Sequence, residues 1–137
     1  MPLPAANPVL QQLAASVLQL ATIIEAPLWS LPTFGYPTNR SYPYVLDEDG
    51  LFVWGVRSGD FELERRETRE AEEILYWIFE HITRSVVTAS EAGAGLPNTT
   101  GDDWPQKQHA MLGRLTPRWA ARFAEEHDGW LDGVDLD

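Results

Sequence analysis

Two Glu-His pairs, Glu80-His81 and Glu126-His127, are the residues of this chain best suited to metal-assisted hydrolysis. An inverted zinc-protease signature needs a first His three residues before such a pair. Trp77 and Phe123 stand at those two places, and the helix-borne HExxH pattern is absent as well. The chain has only three His and no Cys. On this ligand count we predict no metal site, because a zinc centre needs three or four protein ligands.

Other catalytic patterns are also incomplete. Ser58, Ser85 and Ser90 lack a nucleophile-elbow context, and there is no Cys to replace them. Gly93-Ala94-Gly95 is not followed by the glycine and helix start of a dinucleotide loop. We therefore predict no catalytic residues, no cofactor and no enzymatic activity. A hydrolase centred on Glu80 and His81 is kept as an alternative.

Composition indicates one acidic domain over residues 1–137, long enough to build its own core. The net charge is −11, from 21 acidic and 10 basic side chains. Such a charge repels nucleic acids and anionic membrane surfaces and speeds the encounter with a basic partner. The absence of Cys fits a reducing compartment, and we expect a cytoplasmic protein.

The apolar run from Val9 to Ala26 resembles a targeting signal in hydropathy alone. No Lys or Arg precedes Arg40, so the basic region of a signal peptide is missing. Three glutamines interrupt the run, while its Leu, Val and Ile residues follow helical spacing. We predict that residues 1–27 hold an amphipathic helix.

The fold class predicted from periodicity and turn residues is α+β, with about four helices on a small antiparallel meander of three or four strands. The signals between them include the Glu48-Asp49-Gly50 and Ser58-Gly59-Asp60 turns and the helix starts at Thr68 and Thr116-Pro117. The expected helices are Pro8 to Glu25, Thr68 to Ala92, Asp103 to Leu115, and Thr116 to about His127 or Trp130. The expected strands are Tyr44 to Asp47, Leu51 to Arg57, Phe61 to Arg66 and one irregular strand around Trp29 to Phe34, and residues 128–137 are expected to form an acidic tail.

Aromatic residues next to acids are the positive functional signal. The second predicted helix has an apolar stripe and, beside it, Tyr76, Trp77 and Glu80. On the last predicted strand Glu62 and Glu64 alternate with Phe61 and Leu63. Such rings either pack the helix on the sheet or anchor a protein partner. A third interpretation is a small-molecule or peptide-binding module with an aromatic pocket near Trp54 and Trp77.

The segments Ile74 to Thr83 and Lys107 to Ala120 resemble a family of small bacterial immunity proteins encoded beside polymorphic toxins, immunity protein 63. The resemblance spans about Tyr44 to Leu131. It implies a non-enzymatic protein that binds and neutralises its cognate toxin domain. Many such toxins act on nucleic acids, so the resemblance implies a basic partner, with a nuclease as one candidate.

We predict that an acidic, aromatic-rich surface makes this contact. The predicted partner-binding residues are Trp54, Glu62, Glu64, Tyr76, Trp77, Glu80 and Asp103.

Overall fold

The computed structural model describes residues 8–35, 40–58, 61–93 and 104–127. They confirm the α+β class, with four helices and a four-stranded sheet. The helices are α1 (Pro8–Ile23), α2 (Ala71–Gly93), α3 (Trp104–Leu115) and α4 (Pro117–Glu126). The strands are β1 (Thr33–Phe34), β2 (Arg40–Glu48), β3 (Leu51–Ser58) and β4 (Phe61–Thr68). No described helix is both long and apolar enough to cross a lipid bilayer.

The sheet has the strand order β1-β2-β3-β4. Strands β2, β3 and β4 form the predicted antiparallel meander, whereas β1 pairs with β2 in parallel. The irregular strand predicted around Trp29 to Phe34 is only two residues long, Thr33–Phe34. Leu28–Ser30 instead forms a 3-10 turn, in which both the amide and the hydroxyl of Ser30 donate to the carbonyl of Pro27.

The turn between β2 and β3 follows from its sequence. Asp49 and Gly50 both have positive φ, 55° and 91°, as a two-residue turn between twisted strands requires. The amide of Gly50 also donates to Oδ1 of Asp47 at 2.9 Å. This turn fixes the register that pairs Glu48 with Leu51.

Helix α1 ends two residues before the predicted Glu25. Glu25 adopts φ of 54°, its amide donates to Thr22 O, and the amide of Ala26 donates to Ala21 O. This is the Schellman pattern, in which a left-handed residue closes the last turn of a helix. Arg114 covers another carbonyl of this end, because its Nη2 donates to Ile23 O at 2.8 Å.

The predicted start of α4 is confirmed by its cap, whereas α2 begins three residues after the predicted Thr68, which is the last residue of β4. Thr116 is the N-cap of α4, and its hydroxyl accepts from the amide of Arg118. Thr68 lies before α2 and accepts from the amide of Glu70 at 3.1 Å. The Thr116 hydroxyl thus satisfies an amide that has no partner within α4, whereas Glu70 precedes the first residue of α2.

The described residues of Met1–Leu20 and Leu31–Ile78 form one compact unit. Its sheet is covered on both faces at the central strand, since Phe52, Val53 and Trp54 are all buried. The other large side chains of this core are Leu10, Leu13, Val17, Leu31, Phe34, Tyr44, Val45, Ile74, Tyr76 and Ile78.

The described residues of Ala21–Ser30 and Phe79–Asp137 form a second compact unit. Trp119 and Phe123 lie on the buried side of α4, and the Trp119 ring stacks on Phe79 at 5.6 Å between centroids. Gln108 is fully buried and donates from Nε2 to Glu80 O at 2.8 Å and to Oγ1 of Thr83 at 3.1 Å. Trp130 and the predicted acidic tail lie outside the described residues. The prediction of a single domain over 1–137 stays a prediction.

Candidate partner-binding surface

Strand β4 is an edge strand that is exposed along its whole length. Every residue from Phe61 to Thr68 is exposed or half-buried. Phe61 is 76% exposed and Leu63 59%, which are large fractions for apolar side chains in a strand. The predicted alternation of Glu62 and Glu64 with these apolar residues does not hold through the strand, because Glu62 pairs with Arg57 and Glu64 with Val56. This one-residue shift makes Leu63 an extra residue of β4, so the two carboxylates lie on opposite faces of the sheet.

Arg66 connects this strand to helix α2 in the first unit. Its Nε donates to Oε2 of Glu64 at 2.8 Å, and its Cζ lies 5.5 Å from the centroid of the Trp77 ring. A guanidinium at this distance is attracted by the face of the indole. Arg66 is also the cross-strand partner of Trp54. The Arg66 guanidinium thus lies over the half-buried Trp77, while the backbone of Arg66 pairs with that of the buried Trp54.

Arg65 forms ion pairs with carboxylates on the face of the sheet opposite to Arg66. Its Nη2 lies 2.7 Å from Glu67 and 3.4 Å from Glu48, and its Nη1 lies 3.9 Å from Glu62. The hydrogen bond to Glu67 is the main reason that the pKa of Arg65 lies above its usual value, against a smaller effect of desolvation. These pairs are exposed, so they contribute little to stability and a partner can exchange them for its own.

The predicted surface residues fall into two groups within this unit. Glu62 is exposed, and Glu64 and Trp77 are half-buried. Trp54 and Tyr76 are only 3% and 1% exposed, so the expectation that their rings lie on the surface is wrong. Trp54 occupies the central strand, where both faces are covered, and Tyr76 belongs to the buried side of α2.

Sequence reasoning did not select Phe61, Leu63 or Arg66 for partner contact. The signal was present, because strict alternation of apolar and charged residues at the end of a meander also fits an edge strand with a free face. We call Phe61, Glu62, Leu63, Glu64, Arg66 and Trp77 together the β4 surface. Asp103 lies outside the described residues.

Glu80 belongs to the second unit and takes part in a charged cluster there. Its side chain is only 13% exposed, and its Oε2 accepts from Nε2 of His127 at 2.8 Å. Nη2 of Arg84 lies 3.6 Å from the same oxygen. Ligand atoms of Glu80, Glu126 and His127 lie within 4.8 Å of one another, which is close enough to share a metal ion.

The partners of these groups favour a structural ion-pair cluster. Glu80 already faces Arg84 and His127, and Glu126 pairs with Arg122 at 3.0 Å. A divalent cation would have to displace these hydrogen bonds and lie near two guanidinium groups. The sequence patterns did not predict that Glu80 and His127 come together, because they are 47 positions apart in the chain.

The hydrolase alternative placed Glu80 beside His81 as one centre. In the described structure the Glu80 carboxylate hydrogen-bonds His127, while Nε2 of His81 lies 3.3 Å from Oγ of Ser85. Ser85 follows His81 by one helical turn on α2, so this contact is local. The side chains of the predicted pair, Glu80 and His81, therefore contact different residues.

A hollow of about 250 Å³ lies in the first unit. It is lined by Val9, Gln12, Leu13, Ser16, Phe52, Ala71 and Leu75. Neither Trp54 nor Trp77 is among these residues, so this hollow is not the aromatic pocket of the binding-module alternative. It also falls below the usual volume of small-molecule sites, about 300–1,000 Å³.

Comparison with known proteins defines the class. A family model described as Immunity protein 63 matches residues 49–129, which is more than half of the chain. The chain therefore belongs to the immunity protein 63 family, as its helix motifs predicted. The family is generally non-enzymatic and implies a toxin as the partner. No curated protein and no solved structure matches the chain.

Proposed function

We propose that this chain is an immunity protein that binds its cognate toxin domain and neutralises it through the β4 surface. The observation that carries the proposal is that this exposed surface lies entirely within the family-matched region, residues 49–129. The β4 surface combines two exposed apolar side chains, a half-buried indole and the exposed ion pair of Arg66 with Glu64. Apolar and aromatic anchors surrounded by charges are the usual content of a protein interface.

Electrostatics supports a basic toxin partner. The chain carries a net charge of −11, and within β4 the acids Glu62, Glu64 and Glu67 outnumber Arg65 and Arg66. A positively charged active-site cleft is attracted by such a field, which raises the association rate. A nuclease is therefore a suitable target. We propose neither nucleic acid nor membrane as a partner, and we place the protein in the cytoplasm.

The remaining predicted residues take different roles in this proposal. Trp54 and Tyr76 support the β4 surface from the core of the first unit, and Glu80 stabilises the second unit. Asp103 is kept as a predicted contact. We also keep the proposal of a protein without catalytic residues, cofactor or metal.

Growth protection tests the proposal directly. The chain is co-expressed with the C-terminal domain of the toxin encoded next to it, and survival is measured for the unchanged chain, Glu62→Lys and Trp77→Ala. We expect the unchanged chain to protect, and both variants to lose most of the protection while keeping their thermal midpoints.

Glu125→Lys is the matched control, because Glu125 is an exposed acid on α4 and its reversal changes the net charge equally. It should protect like the unchanged chain. Absence of protection by the unchanged chain would refute the function. Full protection by both Glu62→Lys and Trp77→Ala would refute the assignment of the surface.

A further inference from the structure

We propose that the outer edge of β4 binds an extended segment of the toxin as a fifth strand of the sheet. This inference rests on the proposed function and specifies how the same surface makes contact. It assigns the main binding role to the backbone of residues 61–68. The side chains of the β4 surface then select the partner.

The edge is available and long enough for strand addition. Among the residues that the structure describes, β4 pairs only with β3, so its second side faces no strand. It is eight residues long and contains neither Pro nor Gly, whereas β1 at the other end of the sheet has two residues. An exposed edge of this length presents a row of backbone donors and acceptors that another strand can match.

The side chains of β4 determine the chemistry of the incoming strand. Side chains on neighbouring strands lie next to each other on the same face, and opposite charges or apolar groups pair favourably there. Glu62 lies on one face of the sheet with Arg65 and Glu67, and Glu64 lies on the other face with Phe61 and Arg66. Lys or Arg in the incoming strand can pair with either carboxylate, and an aliphatic or aromatic residue can pack on Phe61. We therefore infer a strand with basic residues on both faces and an apolar residue next to Phe61.

Charge disfavours a second copy of this chain as the occupant. Each copy carries a net charge of −11, so two copies repel each other. An antiparallel pairing of β4 with itself about its centre would also place Glu62 of one copy opposite Glu67 of the other. Like charges directly opposite are destabilising. A basic toxin segment meets neither obstacle.

Amide hydrogen exchange tests this inference. The full chain is labelled with ¹⁵N, and exchange is followed by NMR with and without an inactivated C-terminal domain of the toxin encoded next to it. In an edge strand every second amide faces the neighbouring strand and the others face outward. We expect the outward amides of residues 61–68 to exchange at least ~100-fold more slowly in the complex, as hydrogen-bonded strand amides do. The gain should alternate along residues 64–68, which follow the register shift at Leu63.

The outcomes separate this inference from the proposed function. A complex without alternating protection in β4 would overturn strand addition and leave the function intact. Failure to form any complex would refute both. Alternating protection that appears at high concentration of the chain alone would identify a second copy as the occupant and overturn the toxin strand.

Discussion

Gly55 and Tyr44 illustrate how one small residue makes room for the core of the sheet. They are cross-strand partners, and the ring of Tyr44 lies across the α-carbon of Gly55. A Cβ atom at Gly55 would overlap this ring. The Tyr44 ring thus fills the space that a side chain at position 55 would otherwise occupy.

Gly55→Ala is expected to lower the free energy of unfolding by about 1–3 kcal/mol, because the buried Tyr44 ring has to move. Chemical denaturation measures the change. Gly113→Ala is the control, since its Cβ would lie 3.6 Å from Cβ of Ala120, an ordinary contact. That change in α3 should be neutral or stabilising through helix propensity. Equal stability of both variants would show that Tyr44 does not constrain position 55.

Glu80 is the subject of a second prediction at the scale of residues. Its substitution is expected to lower stability, whereas substitutions on the β4 surface are expected to weaken binding of the toxin. Glu80→Lys would place an ammonium group next to the Arg84 guanidinium and remove the hydrogen-bond partner of His127 in a poorly solvated cluster. We expect a loss of about 2–3 kcal/mol in the free energy of unfolding. Thermal unfolding of this variant and of Glu125→Lys, at the same pH, measures it. An unchanged midpoint for Glu80→Lys would mean that the cluster does not hold the second unit together.

The contrast between Trp54 and Trp77 shows what residue patterns can and cannot predict. Both are tryptophans near acids, and the sequence offers no difference in type. Their exposure differs because Trp54 lies on a central strand, where neighbours cover both faces, whereas Trp77 lies beside the edge strand. Strand order, which composition does not contain, decides which ring reaches the surface.

At the scale of elements, the C-terminus of α1 contains a residue poorly suited to its conformation. Glu25 has a φ of 54°, a region in which a side chain other than Gly is strained. The two hydrogen bonds of the Schellman pattern hold it there. Gly is the residue that such a position favours.

Glu25→Gly should therefore raise the free energy of unfolding by about 0.5–1 kcal/mol, with a rise of the thermal midpoint. Glu25→Ala is the control for loss of the charge, since Ala retains the strained Cβ and should change the midpoint little. Scanning calorimetry distinguishes the two variants. A midpoint lower for Gly than for Ala would contradict the assigned strain.

Elements with local signals were predicted well from sequence. The Asp49-Gly50 turn and the Thr116-Pro117 start of α4 each depend on neighbours within a few residues, so their chemistry is visible in the chain. Strand β1 was harder, because its parallel pairing with β2 depends on Val45 and Gly35, which are ten residues apart. The local spacing of apolar residues does not reveal which distant segments pair as strands.

At the scale of the whole molecule, the family and the charge were the informative sequence features. The helix motifs predicted the immunity protein 63 family, which the match over residues 49–129 confirms. The site was predictable only in part. Glu62, Glu64 and Trp77 were named from alternation and residue type, but the surface they form with Phe61 and Leu63 required knowledge that β4 is the edge of the sheet.

The dissociation constant between this chain and the toxin domain encoded next to it tests the central claim most directly. Calorimetric titrations at low and high salt compare the unchanged chain with Glu62→Lys and Glu125→Lys. We predict tight binding that weakens with salt, at least ~10-fold weaker binding for Glu62→Lys, and little change for Glu125→Lys. Absence of binding by the unchanged chain, or equal constants for all three proteins, would contradict the account.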